Sequence, residues 1–447
     1  MVLKFIKKFI PKPLFSLYHL SLAFLGNVFY FLPSRKLFLI GVTGTKGKTT
    51  TAYFIYQLLQ KRGYKSALTS TTFFAVEDRI ENNVSKMGMP GRFFLPRFLK
   101  KAREEGVEYA VVETTSEGIV QHRQLFLKYD TVVFTSLSPE HIERHGSFEA
   151  YRKAKEKLFE QCGKTHILNL NDEHIEYFLK YPARQKWGVI LDKKIPDKAR
   201  MQNFSSLLEG VTIFPNKLKI KEWNITDGKK ELAAQFETGL PFPGKFNATN
   251  LLLAFAAART SGVPFDKIAV AISKLNLPPG RMQELKIKDA PFRIFIDYAH
   301  EPLSLKSALE ACRETLDKNM VRKLICLTGA QGGGRDKWKR KVMGRIAAES
   351  CNYVIIGTED PYEESPNKIN REVLEGVLSV EKFQENKNCW QFTNRREAIK
   401  KALGLAGAND TVILCGKGGE KFMCVGNKKI PWDEEKEVRE VMLKFKI

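Results

Sequence analysis

The chain has 447 residues, a length that exceeds one ordinary domain and predicts two or three. Its 43% hydrophobic and 28% charged residues exclude wholesale disorder and a polytopic membrane protein. Seven scattered cysteines never occur as C-x-x-C, which argues against a disulfide framework or a zinc ribbon and indicates a reducing compartment.

The net charge is +23, and the basic excess is concentrated at the amino-terminal end. The first acidic residue is Glu77, and eleven lysines and arginines precede it. Such an excess is typical of proteins that bind nucleic acid, an anionic membrane or phosphorylated substrates. The sequence contains no nucleic-acid-binding motif, so we expect no nucleic acid and favour a membrane surface together with phosphates.

The amino-terminal segment combines lysines with a long uncharged run. Lys4, Lys7, Lys8 and Lys12 lead into residues 14–32, which contain no Lys, Arg, Asp or Glu. This run is near the minimum length of a membrane span. A cleaved signal peptide is disfavoured because no small-x-small site follows. A single span, an amphipathic helix on anionic lipid and a helix packed on the protein itself all stay open.

A glycine-rich loop follows between a predicted strand and a predicted helix. Residues 36–42 are apolar enough for a buried strand, the helix begins near Thr49, and GVTGTKGKTT spans residues 41–50. Such a loop cradles phosphates with its backbone amides, and Lys48 would reach the β- and γ-phosphates while Thr49 offers a hydroxyl to Mg²⁺. Val42 departs from the strict G-x-x-x-x-G-K-[ST] pattern, but the strand–loop–helix context still predicts a phosphate loop.

Three further residues have types that suit metal chemistry. Glu113 ends a predicted strand, His141 lies in the loop SPEHIERHG, and Lys155 lies on a predicted helix. Carboxylates at strand ends face the ligand edge of open α/β sheets. Taken singly, each has an ordinary interpretation as a solvated charge or a loop residue.

Eight segments occur in a characteristic order from about residue 38 to the carboxyl end. They are GVTGTKGKTT, VVETTSEGIVQHR, SPEHIERHGSFEAYRKAKEKLF, FPGKFNATNLLLAFAAA, GRMQEL, IDYAHEPLSLKSAL, GGGRDKWKRKVMG and GKGGE. This set resembles the Mur ligase family, the ATP-dependent amide ligases that build the peptidoglycan stem peptide, and it is most similar to the branch that adds the third residue.

The resemblance implies a nucleotide and metal site. It implies that ATP is bound by Gly44, Thr45, Lys46, Gly47, Lys48, Thr49, Thr50, Asn250, Arg281 and Asp297. One Mg²⁺ would be held by Thr49 and Glu113, and a second by His141 and a carbamylated Lys155. Lys48, Glu113, His141 and Lys155 would be catalytic, and the acceptor carboxylate would attack the γ-phosphate to give an acyl-phosphate. The carboxyl-terminal residues Arg281 and Asp297 would close over the nucleotide.

The resemblance also implies two substrates, a muramoyl-peptide precursor and a free amino acid. Thr115, Gln121 and Arg123 would contact the acceptor, while Arg335, Gly416 and Glu420 would bind the amino acid. Family members that take diaminopimelate have Asp-Asn-Pro-Arg where this chain has residues 359–362, EDPY. Because Tyr362 cannot pair with a distal carboxylate, lysine, ornithine or another diamino acid is expected in preference to diaminopimelate.

The front of the chain departs most from the family pattern. Family members carry an amino-terminal domain that holds the UDP of the substrate, whereas the phosphate loop of this sequence begins at residue 41. In addition, Gly88 and Met89 stand where the family usually has two threonines. We therefore expect reduced nucleotide recognition or a lipid-linked acceptor presented at the membrane. No motif residue lies before Gly41, so we expect the leader to be dispensable for activity on a soluble acceptor.

The predicted fold is α/β, with a phosphate-loop ATPase domain around a mostly parallel sheet and a carboxyl-terminal domain of dinucleotide type. The expected pieces are a leader (1–37), the ATPase domain (38–277) with a side sheet at 203–240, and the carboxyl-terminal domain (278–447). We expect a cytoplasmic enzyme, peripheral at the inner membrane face. A related ligase acting on folate or a lipid-bound acceptor, or a non-catalytic ATP-binding membrane protein, are the alternatives.

Overall fold

The computed structural model describes residues 11–85, 87–140, 145–196, 199, 204–213, 217–316, 322–334 and 337–444. The chain divides into two compact units. The first comprises residues 1–241 and 247–276, and the second comprises residues 242–246 and 277–447.

The described residues of the first unit contain one eleven-stranded sheet. Its strands are β1 (Phe38–Thr43), β2 (Ser66–Thr69), β3 (Phe73–Val76), β4 (Arg79–Asn82), β5 (Tyr109–Glu113), β6 (Thr131–Phe134), β7 (Thr165–Asn169), β8 (Gln185–Leu191), β9 (Ser206–Ile213), β10 (Lys217–Thr226) and β11 (Lys229–Gly239). Their spatial order is β11-β10-β9-β8-β7-β6-β1-β5-β2-β3-β4, and the seven strands from β9 to β2 run parallel. The predicted mostly parallel sheet is confirmed.

Helices cover this sheet. Up to residue 272 they are α1 (Lys12–Phe29), α2 (Lys48–Lys61), α3 (Phe94–Glu104), α4 (Ser116–Val120), α5 (Phe148–Gln161), α6 (Glu176–Leu179), α7 (Lys245–Thr260) and α8 (Phe265–Ile272). The sequence of α3 shows why such a helix packs on one side: Leu95, Leu99 and Ala102 recur at helical spacing and are fully buried. Central strands such as β1, FLIGVT, are continuous apolar runs because both of their faces are covered.

The segment 203–240 was predicted to form a separate side sheet, but its strands belong to the main sheet. β9 pairs with β8 in parallel, and β10 and β11 extend the same sheet in antiparallel fashion. The prediction was wrong because the unpaired edge of β8 can continue the hydrogen-bond ladder, and a strand added there satisfies its backbone groups without a second sheet.

Helix α1 packs with its large apolar residues outward. The residues buried on its inner side are small or polar: His19, Ala23, Gly26 and Asn27. The outward side carries large hydrophobic residues that are each more than half exposed: Leu14 58%, Leu17 57%, Tyr18 55%, Leu25 52% and Phe29 67%. This is the reverse of the usual surface helix, whose apolar stripe faces the core. No helix in the described part of the chain has both the length and the hydropathy that a membrane crossing requires.

The second unit is a six-stranded sheet with helices on both faces, counted over its described residues. Its strands are β12 (Gln283–Glu284), β13 (Arg293–Asp297), β14 (Leu324–Thr328), β15 (Tyr353–Gly357), β16 (Cys389–Phe392) and β17 (Thr411–Cys415), with β18 (Phe422–Val425) and β19 (Lys428–Pro431) forming a separate hairpin. Its helices are α9 (Pro302–Glu314), α10 (Lys339–Ser350), α11 (Pro366–Leu378), α12 (Arg395–Gly404) and α13 (Glu434–Lys444). The order is β12-β13-β17-β14-β15-β16, and β13 to β16 are parallel. The predicted α/β carboxyl-terminal fold is confirmed.

Strand order places the candidate residues at sheet edges where ligands bind. In the first unit β1 lies between β5 and β6, so the loop after β1 adjoins Glu113 at the end of β5. In the second unit β13 pairs with β17, so Asp297 lies at the same edge as Gly416. The carboxyl ends of parallel strands are where open α/β sheets bind ligands.

Candidate active site

The phosphate loop connects β1 to α2 and packs tightly on its neighbours. A Cβ on Gly44, whose φ is +152°, would lie 2.0 Å from Thr135 Oγ1, and a Cβ on Gly47, whose φ is +80°, would lie 2.3 Å from Asn250 Oδ1. The amides of Thr45 and Lys46 bond to Ser136 at 2.6 and 3.0 Å. Only glycine fits at both points, so the loop backbone is held in one conformation.

Two lysines from distant parts of the chain meet at this loop. Lys48 Nζ donates to the carbonyl oxygens of Gly44 and Thr45 at 3.0 and 2.7 Å, and Lys155 Nζ donates to Gly44 O at 2.6 Å. Complete burial, and next the positive charge of Lys48, lower the pKa of Lys155 well below its ordinary value. Both effects shift the balance toward the neutral amine, and the centre of the Tyr151 ring lies 4.5 Å from Nζ.

Glu113 forms the centre of an oxygen-rich cluster at the end of β5. Its carboxylate is buried and accepts hydrogen bonds from Thr49 Oγ1 at 2.9 Å, from Thr71 N at 2.9 Å and from Thr71 Oγ1 at 2.8 Å. A carboxylate and a hydroxyl at this separation are hard oxygen donors, the kind that Mg²⁺ prefers. The donor set fits the predicted magnesium site. His141 lies outside the described residues.

The remaining residues of the first unit that are predicted to bind the nucleotide lie in or against the same loop. Asn250 reaches it from α7, where its Oδ1 accepts from Thr51 Oγ1 at 3.3 Å and faces Gly47. Thr45 Oγ1 lies 3.0 Å from Tyr151 Oη, and Thr50 is buried in the first turn of α2. Asn250 thus packs against the phosphate-binding backbone.

In the second unit, Asp297 and Arg281 lie close together. The Asp297 carboxylate accepts from Met282 N at 2.7 Å and from Ala299 N at 2.8 Å. Its complete burial raises its pKa, while the positive charge of Arg281 opposes that shift. The Arg281 guanidinium lies 4.5 Å from the centre of the Tyr298 ring, a cation–π contact.

Gly416 and Glu420, which are predicted to bind the incoming amino acid, flank Lys417, a lysine for which the sequence predicted no role. Lys417 Nζ donates to Asp360 Oδ1 and Glu420 Oε2, both at 2.7 Å, and Tyr298 Oη donates to Glu420 Oε1 at 3.2 Å. The signal was present in the i, i+3 spacing of Lys417 and Glu420 within GKGGE. Arg335 lies outside the described residues.

Glu359 is a second residue whose environment the sequence did not reveal. A Cβ on Gly416, where φ is +106°, would lie 2.1 Å from Glu359 Oε1. The carboxyl is completely buried, and neither oxygen has a hydrogen-bond partner within the described chain. Burial raises the pKa of Glu359 to about 7, although Arg395 and Lys417 oppose the shift. A buried carboxyl in this state is electrostatically suited to a cationic ligand.

The predicted acceptor residues lie around the start of α4 in the first unit. Thr115 caps α4 by accepting from Gly118 N at 3.3 Å, and Gln121 Oε1 accepts from Arg123 Nη2 at 2.7 Å. The departure at Gly88 has a steric reason. A Cβ there would lie 2.8 Å from Thr115 Cγ2 and 3.3 Å from Glu113 Cδ, so this backbone has no room for threonine.

Comparison with known proteins identifies the family. Residues 42–258 match the Mur ligase middle domain, and residues 280–418 match the glutamate ligase domain of Mur ligases. The UDP-N-acetylmuramoyl-L-alanyl-D-glutamate–2,6-diaminopimelate ligase of Caldanaerobacter subterraneus subsp. tengcongensis is 32% identical, over 94% of this chain and 81% of that one. The chain belongs to the Mur ligase family. The corresponding ligase of Geobacillus kaustophilus is also 32% identical, over 95% of this chain and 83% of its own length.

Solved structures agree with this assignment. A UDP-N-acetylmuramoyl-L-alanyl-D-glutamate–2,6-diaminopimelate ligase superposes with a TM-score of 0.59 at 25% identity, covering 92% of this chain and 79% of that one. The folylpolyglutamate synthase of Mycobacterium tuberculosis superposes with a TM-score of 0.65 at 14% identity, covering 89% and 92%, and shares the fold. Mur ligases are ATP- and Mg²⁺-dependent enzymes that form amide bonds in peptidoglycan synthesis, and this chain is one of them.

Proposed function

We propose that this Mur ligase joins the amine of a diamino acid to the carboxylate of a muramoyl dipeptide. The observation that carries the proposal is the environment of Lys155. This lysine is completely buried, donates a hydrogen bond to the carbonyl of Gly44 and has a lowered pKa. ATP hydrolysis on a phosphate loop requires the loop lysine and one metal site. A second buried lysine at the loop indicates a further role, that of forming a metal ligand. Amide ligation through an acyl-phosphate is a reaction that would use such a second metal site.

Residues of the first unit would hold the nucleotide and two Mg²⁺ ions. The loop from Gly44 to Thr50 would bind the phosphates through the Lys48 ammonium and through its amides other than those of Thr45 and Lys46, which donate to Ser136. Thr49 and Glu113 would hold one ion, and His141 and Lys155 the other. The neutral Lys155 amine can add to carbon dioxide, forming a nitrogen–carbon bond and releasing one proton, so that a carbamate offers oxygen ligands. Bound Mg²⁺ would neutralise part of the negative charge of the phosphates.

The reaction would proceed in two displacements. An oxygen of the acceptor carboxylate bonds to the γ-phosphorus, and the bond from that phosphorus to the β-phosphate bridging oxygen breaks to release ADP. The amine nitrogen of the amino acid then bonds to the acyl carbon, the carbon–oxygen bond to phosphate breaks, and the amine loses a proton. Lys48 would stabilise charge on the transferring phosphoryl group throughout.

Residues of the second unit would bind the amino acid. Arg335 would clamp the α-carboxylate, Gly416 would contribute to the same site, and Glu420 with Glu359 would surround the distal ammonium. The support for a cationic distal group is the buried carboxyl of Glu359, neither of whose oxygens has a hydrogen-bond partner within the described chain. Tyr362 stands where a diaminopimelate-binding arginine is expected, so we propose lysine or ornithine in preference to diaminopimelate, the amino acid named for the relatives above.

One experiment tests the proposal. Phosphate release from ATP is measured with UDP-linked and lipid-linked muramoyl dipeptides, each against lysine, ornithine and diaminopimelate. We expect phosphate release only when a muramoyl acceptor and a diamino acid are both present. Turnover with folate and glutamate, or none with any acceptor pair, would instead favour the folate ligase or the non-catalytic alternative.

We also propose that α1 holds the enzyme on an anionic lipid surface at the cytoplasmic face. The support is its outward row of large apolar residues, because contiguous exposed apolar patches mark interaction sites. Basic residues lie just after its carboxyl end: Arg35 and Lys36 are exposed, and Lys100 Nζ lies 5.5 Å from the ring of Phe31. Apolar anchoring with cationic flanks complements anionic lipid headgroups.

A further inference from the structure

The inner side of α1 contacts residues that resemble acceptor ligands of the family. The ring Nδ1 of His19 accepts a hydrogen bond from Arg92 Nη2, and the same Nη2 donates to Gln121 Oε1 at 2.9 Å. Arg123 Nη2 donates to that same oxygen at 2.7 Å. The amide oxygen of Gln121 therefore bridges two guanidinium groups, one of which is held by the amino-terminal helix.

The position of α1 is fixed by additional contacts. Ser16 Oγ is hydrogen-bonded to His122 Nε2 at 2.7 Å, and a Cβ on Gly26 would lie 2.6 Å from the carbonyl oxygen of Arg92. His19 is buried, with the edge of its ring against Phe15 at 4.3 Å between centroids. These contacts argue against the expectation that the leader is dispensable for activity on a soluble acceptor.

We call His19, Arg92, Gln121, His122 and Arg123 the basic pocket. Its two arginines both donate to Gln121 Oε1. Neither has a carboxylate within salt-bridge distance in the described chain, and the buried Nε of each makes no hydrogen bond there.

The electrostatics of the basic pocket favour an anion. Burial, and then the charge of Arg92, lower the pKa of Arg123, with Glu117 opposing; burial also lowers the pKa of Arg92. The pKa of His122 is lowered by burial and by the charges of Lys157 and Arg92. Positive charge that is partly desolvated and unpaired costs free energy, which a bound anion would offset.

The basic pocket adjoins the reaction centre. Arg123 Nη1 also donates to the carbonyl of Met89, and a Cβ on the preceding Gly88 would lie 3.3 Å from Glu113 Cδ. Its members other than His19 are half-buried and therefore partly accessible to solvent. A molecule that spans from the pocket toward Glu113 could therefore present one anionic group to the arginines and its reacting carboxylate to the phosphate loop.

We propose that Arg92, together with Arg123, binds an oxyanion of the acceptor, and that His19 of α1 is a positioning residue that holds the Arg92 guanidinium. The oxyanion is a carboxylate of the acceptor's peptide or a phosphate of its carrier. This inference rests on the proposed function for the identity of the acceptor. It assigns α1 a part in the acceptor site in addition to its outward apolar side.

Binding is measured by calorimetry on the full chain with a non-hydrolysable ATP analogue and Mg²⁺. The probes are UDP-N-acetylmuramoyl-L-alanyl-D-glutamate, the same dipeptide without UDP, that dipeptide with its α-carboxylate amidated, and inorganic pyrophosphate. Arg92→Ala should raise the Kd for the UDP-linked acceptor about tenfold or more, since hydrogen bonds to charged groups are the strong ones. Arg92→Lys should be intermediate, and the exposed Arg97→Ala is the matched control.

The probes separate the two sources of the oxyanion. If Arg92→Ala affects only UDP-linked acceptor and pyrophosphate, the carrier phosphate binds; if its effect persists without UDP but disappears on amidation, the carboxylate binds. If the wild type binds no acceptor but binds pyrophosphate more tightly than Arg92→Ala does, anion binding by the basic pocket is supported and the proposed muramoyl acceptor is rejected. Equal affinities of wild type and folded Arg92→Ala and Arg92→Lys, or no binding of any probe by wild type, would overturn the inference.

The positioning role of His19 has its own readout. His19→Ala should raise the acceptor KM severalfold while leaving kcat and the ATP KM within about twofold, because only the arginine's orientation is lost. His19→Gln, whose amide oxygen can accept from Arg92, should restore the acceptor KM, whereas His19→Phe should not. Equal KM values for the Gln and Phe variants would overturn the positioning role.

Discussion

Lys48 and Lys155 donate hydrogen bonds to the same oxygen, the carbonyl of Gly44, at 3.0 and 2.6 Å. Lys48 is the first residue of α2, directly after the loop, and Lys155 reaches the same carbonyl from α5. Two full positive charges on amines that share one acceptor oxygen would repel each other. Complete burial and the charge of Lys48 both lower the pKa of Lys155.

We expect Lys155→Ala to lower kcat for ligation by roughly a hundredfold or more, because an oxygen ligand and its stabilising charge are lost. Added bicarbonate or short-chain carboxylates should restore part of the rate. Steady-state phosphate release measures both effects. Lys153→Ala, an exposed lysine of the same helix that pairs with Glu149, is the control and should retain wild-type activity. Normal turnover in Lys155→Ala would contradict the carbamate proposal.

Glu359 predicts a pH dependence of stability. Its pKa in the folded protein is about 7, above its ordinary value of 4.5, so the folded state favours the protonated form. As pH rises from about 4.5 to about 7, the unfolded chain loses this proton first, and stability falls by about 3 kcal/mol in total. Glu359→Gln should remove this fall.

Denaturant midpoints at several pH values across that window would measure the effect of Glu359→Gln. Glu363, in the same segment of the chain, is exposed, so Glu363→Gln is a matched control that should keep the wild-type pH profile. Parallel profiles for wild type and Glu359→Gln would show that the Glu359 carboxyl is not held uncharged by burial.

Tyr362→Arg should shift the amino-acid preference toward diaminopimelate. Tyr362 lies beside the Gly333 loop, where a Cβ on Gly333 would be 3.0 Å from its ring, and it has a φ of +51°. A guanidinium–carboxylate pair at an interface has a coupling of about 1.5–7 kcal/mol, enough for a tenfold or larger change in the ratio of kcat/KM values. Tyr362→Phe keeps the ring without charge and should leave the ratio unchanged. A wild-type preference for diaminopimelate would refute this interpretation of the loop.

The outward side of α1 predicts binding to anionic vesicles. Replacing both Leu17 and Phe29 by Glu should abolish co-sedimentation with phosphatidylglycerol vesicles, because it removes apolar area and adds like charge. High salt should weaken wild-type binding in part, since the cationic contribution is screened and the apolar one is not. Val270, 67% exposed on α8, supplies the control Val270→Glu. Failure of wild-type protein to sediment with vesicles at any salt concentration would reject the membrane proposal.

Features whose residues lie within one continuous segment of the chain were determined by the sequence alone. The strand, glycine loop and helix around Gly44 to Thr50 occupy one short segment, so their spacing predicted the phosphate loop directly. The apolar strand runs and the motif order likewise predicted the α/β fold and the family, both of which are confirmed.

Other features depended on which residues the tertiary structure brings together. Lys155 meets Gly44 across 111 positions of sequence, and His19 lies 73 positions from Arg92. The uncharged run at residues 14–32 identified the apolar residues of α1, but their outward direction follows from the close packing of Gly26 against the Arg92 backbone. The pKa of Glu359 and the charge of the basic pocket follow from burial and from missing partners. Desolvation and pairing are properties of a three-dimensional neighbourhood, so a linear pattern of residue types cannot specify them.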